Sequence, residues 1–365
     1  VSEIVKERYK IDGFLVFYII VAAQVGVGVL GFQRVIMSKA GYDGWITIIL
    51  TGILFHLAIY IIYSILNRYK TDVIEIQRFI FGKWIGGFIN LIIAFYFLYN
   101  SVTVLTTFIE VIQVWMFPTL SSWVLGFLFC SLIYYIVSGG FRVVTGMCFL
   151  GFFITIPLIL FLLFPLEYSD FVPLLPIIQK PIGSIVGAIS DSMISFMGIE
   201  LLLIFYPFIK NPEKSQKSAQ FGSLFTTVLY LLIIIITFGF FSEDQLERTI
   251  WATLSMFKVA EFSFIERLEY VTVTVWVFVV VPTMILYLWA SSRIIKRTTN
   301  FSQRKVIICL LLIVLISIVF INSRIEINYL NQAVNYVSFY LIFAYIPILF
   351  ILSKLFYRKY RRTMK

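Results

Sequence analysis

The chain has 365 residues, of which 61% are hydrophobic and only 13% charged. That share of apolar residues excludes a soluble globular domain and predicts an all-α polytopic membrane protein. The net charge of +10 invites nucleic acid as a partner, but its distribution along the chain excludes that.

Lys6, Arg8 and Lys10 precede the first apolar run. The run is about as long as a membrane span and lacks a small-residue cleavage pattern, so it reads as a retained helix rather than a cleaved signal. A span needs about 20 mostly apolar residues. Ten segments qualify: 12–33, 43–66, 84–115, 119–137, 143–166, 183–208, 219–241, 268–292, 304–322 and 333–357. Ten spans put both termini on one side. Most of the 29 Lys and Arg residues fall on that side, the exceptions being Arg34, Lys39, Lys180, Arg248, Lys258, Arg267 and Arg324. The bias predicts cytoplasmic termini and accounts for the basic charge without nucleic acid. The basic run Arg358–Arg362 reads as an anchor on the same side, with anionic lipid heads as a second use.

The first span carries QVGVGVLG, Gln24 to Gly31, with Gly26, Gly28 and Gly31 close together. Each glycine weakens helix by about 0.8–1 kcal/mol relative to alanine, so a broken helix is expected here. Irregular backbone at membrane depth is tolerated where it is buried in protein or lines a wet cavity. His56, mid-span, reads as a hydrogen-bonded packing residue, and Cys130, Cys148 and Cys309 as small packing residues. On the third span Tyr96, Tyr99, Asn100 and Thr103 recur at spacings of three and four. Its end near Glu110 and Gln113 is expected to tilt or protrude. Glu167 to Ile182 is proline-rich and reads as a rigid outer crossing.

The sixth span is also interrupted, by SDSMISFMGIE from Ser190 to Glu200. Ser242 to Arg267 is long enough for an outer surface helix, since Leu246, Ile250, Leu254 and Phe257 recur at helical spacing. An ordinary structured loop fits equally well. On the eighth span Thr283 and Tyr287 follow Pro282. Glu110, Asp191, Glu200 and Glu269 lie in or at the ends of spans, where charge is costly. Glu200 is the acid expected to lie deep. A proton-linked role and a structural ion pair, for instance with Arg267, are both open for it.

Ten spans divide into five plus five of opposite orientation, the requirement for an inverted repeat with discontinuous first helices. The breaks at spans one and six match that requirement. The chain is thus expected to be one transmembrane domain, 1–365, with repeats over about 12–166 and 183–357 and an outer segment over 242–267. Free amides at one half-helix and free carbonyls at the other suit a small zwitterion such as an amino acid. The competing role for these glycines and serines is close helix packing. Phosphate-loop, nucleophile-elbow and paired-acid motifs are absent, so no enzyme, cofactor or metal is expected.

QVGVGVLG followed by DGWITIIL, then SFMGIE, WATLSMF and FIERLE in order, resemble the spore germination permease family. These are the B subunits of nutrient germinant receptors of endospore-forming bacteria, a branch of the amino acid–polyamine–organocation superfamily. The resemblance implies a LeuT-like fold and a substrate site at Gly26, Gly28, Tyr96, Asn100, Phe196, Met197, Gly198, Thr283 and Tyr287, to which the glycine run itself adds Gly31. It implies a multi-pass protein of the spore inner membrane that senses a small nutrient and works with an A subunit and a lipoprotein C subunit. A proton-coupled amino acid permease using Glu200 is the alternative.

Overall fold

The structure, a computed structural model, describes residues 5–258, 268–321 and 323–363. It is helical, with α1 at Val16–Gln24, α2 at Phe32–Ala40, α3 at Gly44–Tyr69, α4 at Val73–Trp115, α5 at Ser122–Ser138 and α6 at Phe141–Leu160. The second half has α7 at Ile182–Gly187, α8 at Ile189–Phe196, α9 at Leu202–Phe205, α10 at Gln216–Phe240, α11 at Glu243–Arg248 and α12 at Ala252–Phe257. It ends with α13 at Leu268–Thr299, α14 at Gln303–Phe320, α15 at Arg324–Tyr340 and α16 at Ile346–Thr363. Seven helical segments are long and apolar enough to cross a membrane among the described residues. Ile182–Phe196 and Ile199–Phe208, bent by 56°, make an eighth, and Gly13–Gln24 and Ser122–Ser138 are shorter apolar helices. These elements fill the ten expected spans, with the first and sixth discontinuous.

Loop contacts sort the two faces. Arg142 donates to the Arg8 carbonyl, Ile11 pairs with the Phe208–Lys210 backbone, and Tyr360 donates to the Tyr69 carbonyl. Lys70 pairs with Glu213 at 3.3 Å, so the described segments near both ends, at Arg8, Ile11 and Tyr360, lie on one face. Arg34, Lys39, Lys180 and Arg324 lie at the other, bonded to Glu247, Asp191, Glu243 and Glu110.

The core is built around α4 and α13, the most extensive helix pair. Gly82 (φ 84°) divides α4 into a short stub and the third span, a left-handed geometry that costs glycine little. His56 and Gln220 bond side chain to side chain, and Gln220 also donates to the His56 carbonyl, joining α3 to α10. Cys130 and Cys148 are buried, whereas Cys309 is exposed. The described part of the outer segment after α10, 242–258, forms two short helices, with Leu246, Leu254 and Phe257 buried.

The proline-rich crossing is anchored by one carboxylate. Asp43 accepts from the Ile178, Gln179 and Lys180 amides at 2.9, 2.6 and 2.7 Å. Hydrogen bonds to a charged group contribute about 1.5–3 kcal/mol each. In Asp43→Ala the amides of Ile178 to Lys180 are expected to exchange hydrogen at least about tenfold faster, the equivalent of about 1.4 kcal/mol. Exchange of α4 should not change, because the lost contacts are confined to the crossing.

Candidate functional site

The two breaks lie side by side. In the first span α1 ends at Gln24, Val25 is extended, and the chain resumes as a 3-10 turn over Val27–Leu30 before α2. In the sixth, α8 ends at Phe196, Met197 is extended, and Gly198 (φ 119°) leads into a 3-10 turn over Ile199–Leu201. The Gln24 carboxamide crosses from one break to the other, donating to the Phe196 carbonyl at 2.8 Å. A Cβ on Gly198 would stand 2.7 Å from both the Cβ and the carbonyl oxygen of Ala23. Glycine at 198 thus serves two demands, a left-handed backbone and contact with the other break.

Glu200 closes the sixth-span break from within. Its fully buried carboxylate accepts from the Gly198 amide at 2.8 Å and from the Tyr96 hydroxyl at 3.0 Å. The Tyr96 and Ser338 hydroxyls are 2.9 Å apart, and Ser338 contacts the Met197 sulfur at 3.4 Å. Spans three, six and ten are tied together through this acid. Arg267, the partner considered for Glu200, lies outside the described residues, as does most of FIERLE. Asp191 instead pairs with Lys39 at 2.6 Å, and Glu110 with Arg324 at 2.6 Å.

A cavity of about 600 Å³ opens above the breaks, on the face opposite the termini. Gly26, Gly28, Gly31, Met197 and Thr283 all line it. Thr283 donates to the Ala22 carbonyl at 2.7 Å, which ties α13 to the end of α1. Tyr96, Asn100, Phe196, Gly198 and Tyr287 stand behind this lining. Asn100 donates to the Tyr96 carbonyl of its own helix at 2.8 Å. Phe196 packs its ring 5.2 Å from that of Tyr230, and Tyr287 packs 5.9 Å from Phe97. A second cavity, of about 60 Å³ and mostly apolar, lies between α1, α6 and α10.

Toward the termini the site is closed. Phe141, Phe205, Phe208 and Trp289 form an aromatic layer with ring centroids 4.3–5.5 Å apart. Beyond it, buried Asp72 pairs with Arg297, and Arg78 donates to the Arg297 carbonyl at 2.8 Å. The molecule is therefore open on one face and shut on the other.

The reading of spans one, three, six and eight missed the tenth. Asn328, Asn331, Gln332 and Asn335 of α15 line the cavity. A signal for them exists: Asn328, Asn331, Asn335 and Ser338 recur at spacings of three, four and three, one helix face.

A model of spore germination proteins, Spore_permease, matches residues 10–328. The chain belongs to the spore germination permease family. This family member is 44% identical to spore germination protein GerQB of Bacillus cereus, over 95% of this chain and 96% of that one. It is 28% identical to spore germination protein A2 of Bacillus subtilis strain 168, over 81% and 82% of the two chains. Among solved structures, the permease-family chain resembles MhsT in complex with L-phenylalanine, with TM-score 0.61, 13% identity and coverage of 94% and 88%. It also resembles the nucleobase-cation-symport transporter Mhp1 with bromovinylhydantoin bound, with TM-score 0.65, 11% identity and coverage of 98% and 80%. These likenesses fix the fold as LeuT-like.

Proposed function

We propose that this chain is the nutrient-sensing membrane subunit of a spore germinant receptor. Its ligand, an amino acid in the simplest reading, enters from the outer face of the spore inner membrane and settles at the two helix breaks. The termini face the cytoplasm in this reading, in keeping with the placement of the basic residues. The repeats, about 12–166 and 183–357, shift relative to one another on binding. That change passes to an A subunit and a lipoprotein C subunit, and a ligand drives it only by its differential affinity for the two states. One observation carries the reading: both breaks meet at the floor of a large cavity open on a single face.

Gly26→Val tests it. A Cβ at Gly26 meets only Thr283, at 3.6 Å, so the larger residue fills the cavity rather than the packed core. Spores carrying Gly26→Val are expected to lose at least about tenfold in nutrient sensitivity while the protein still inserts. An unchanged nutrient response would remove the breaks from the binding site.

The second reading, a proton-coupled amino acid permease, draws on the buried Glu200 and its bond to Tyr96. Liposomes holding the purified chain separate the two. Concentrative uptake of a labelled amino acid driven by a pH gradient supports the permease, and binding without uptake supports the sensor.

A further inference from the structure

Binding at the two breaks does not account for the cavity wall beside the tenth span. Asn328 and Asn331 are half-buried in that wall, and their side chains make no hydrogen bond within the described residues. Asn335, one turn further along α15, is committed. It accepts from the Ile194 amide at 3.0 Å and donates to the Ser190 carbonyl at 2.6 Å, clamping α15 to α8.

On α4 the cavity is lined by Thr107, which is 4% exposed and whose hydroxyl has no partner. One turn earlier, Thr103 turns its hydroxyl onto the Tyr99 carbonyl at 2.9 Å, the usual resting place for a helical threonine. Gln24, at the floor and 3% exposed, spends its amide on Phe196 but leaves its carboxamide oxygen unpartnered. Buried polar atoms in folded proteins are nearly always bonded. Here two of them, from different helices, line the same cavity as two uncommitted asparagines.

Two of the neighbouring charges are paired, and Arg34 and Glu247 stand at the rim. Asp191 is held by Lys39, Arg324 by Glu110, and Arg34 donates to the Glu247 carbonyl at 3.4 Å. Between that rim and the floor the third and tenth spans present neutral donors and acceptors, among them Thr107, Asn328 and Asn331. A volume of about 600 Å³ lies within the range that holds ligands well beyond the smallest metabolites.

We propose that Gln24, Thr107, Asn328 and Asn331 form a second recognition subsite. It takes an uncharged hydroxyl- or carboxamide-bearing group of the ligand, beyond the part held at the breaks. The subsite selects which nutrient is sensed, and it rests on the reading that the ligand occupies this cavity.

The test measures binding to the full chain in lipid nanodiscs, using L-asparagine, L-leucine, L-lysine, L-glutamate, D-glucose and adenosine as probes. L-Asparagine and L-leucine match in size and differ in the polarity of the side-chain tip. At least one of L-asparagine, D-glucose and adenosine is expected to bind about tenfold more tightly than L-leucine. Thr107→Val and Asn331→Leu should each weaken that probe by about three- to tenfold, the scale of one lost neutral hydrogen bond. L-Leucine binding should stay within about twofold. Because Thr107→Val is isosteric and removes an unpaired buried hydroxyl, thermal stability should hold or rise, whereas a structural role for the hydroxyl requires it to fall.

Wild-type affinity in both variants, or tightest binding of L-leucine, L-lysine or L-glutamate, overturns the subsite. If Gly26→Val abolishes binding while the Thr107 and Asn331 variants do not weaken it, the subsite fails and the break site stands. If no probe binds the wild-type chain, the sensing site fails and the subsite with it.

Discussion

Glu200→Ala is expected to lower the thermal stability of the chain sharply and to abolish its nutrient response. The substitution deletes the acceptor for two buried donors, the Gly198 amide at 2.8 Å and the Tyr96 hydroxyl at 3.0 Å. A buried donor left unsatisfied costs about 1–3 kcal/mol, so the pair amounts to about 2–6 kcal/mol. Tyr96 keeps Ser338 as a partner at 2.9 Å, which places the expected loss toward the lower end. The Gly198 amide has no such reserve, because it sits at a break with no helical carbonyl in reach. Glu200→Gln keeps one acceptor oxygen and so should lose about half as much stability. Melting of the three purified proteins in detergent ranks them as wild type, Gln, then Ala. A proton-linked role makes a different forecast for Glu200→Gln, a protein of near wild-type stability whose nutrient response no longer depends on pH.

Gly198→Ala should be nearly as damaging, for a reason independent of any ligand. The residue sits at φ 119°, and left-handed backbone costs a side-chain-bearing residue roughly 1–2 kcal/mol. The added carbon would also stand 2.7 Å from the Cβ and the carbonyl oxygen of Ala23, an overpacking that typically costs about 1–3 kcal/mol. Backbone lies on both sides of the clash, so neither half-helix yields by rotating a side chain. The two breaks must separate, which dismantles the cavity floor as well as the packing. Gly26→Ala is the matched control, since its Cβ meets Thr283 at an ordinary 3.6 Å. Thermal melting should separate them, with Gly198→Ala several degrees lower and Gly26→Ala close to wild type.

The spans are legible in the sequence because each carries its own long apolar run, and the breaks because Gly26, Gly28 and Gly198 interrupt such runs. Basic residues near the span ends sort the two faces for the same reason: the signal is local. What is not legible is tertiary. Tyr96 and Glu200 are 104 positions apart, and no spacing in either helix announces that one caps the other's break. Equal spacing on the third span also hides different environments. Tyr96 points its hydroxyl at Glu200 and Ser338, while Asn100 folds back onto its own helix. The amides of the tenth span escaped for another reason. An apolar window opens that span near residue 333, whereas the helix begins at Arg324 with Ser323 and Glu326 forming a capping box. Asn328 and Asn331 therefore look like loop residues in a hydropathy reading, although they face a cavity in the fold.

Asp191 and Glu110 illustrate how the cost of an intramembrane acid is met. Each finds a cation from a distant segment, Lys39 and Arg324, at 2.6 Å. Glu200 uses hydrogen-bond donors instead, and only Glu200 lies at a break. That difference separates the acids that close the outer rim from the acid that shapes the floor.

Hydrogen exchange at the two breaks decides whether the ligand sits between them. The purified chain is compared with and without the nutrient that triggers the receptor, following the amides of Val25–Gly31 and Phe196–Ile199. Binding at the breaks predicts protection of both segments together, with no change in α14 on the far side of the bundle. Protection of neither segment, or of one without the other, would contradict a site shared between the first and sixth spans.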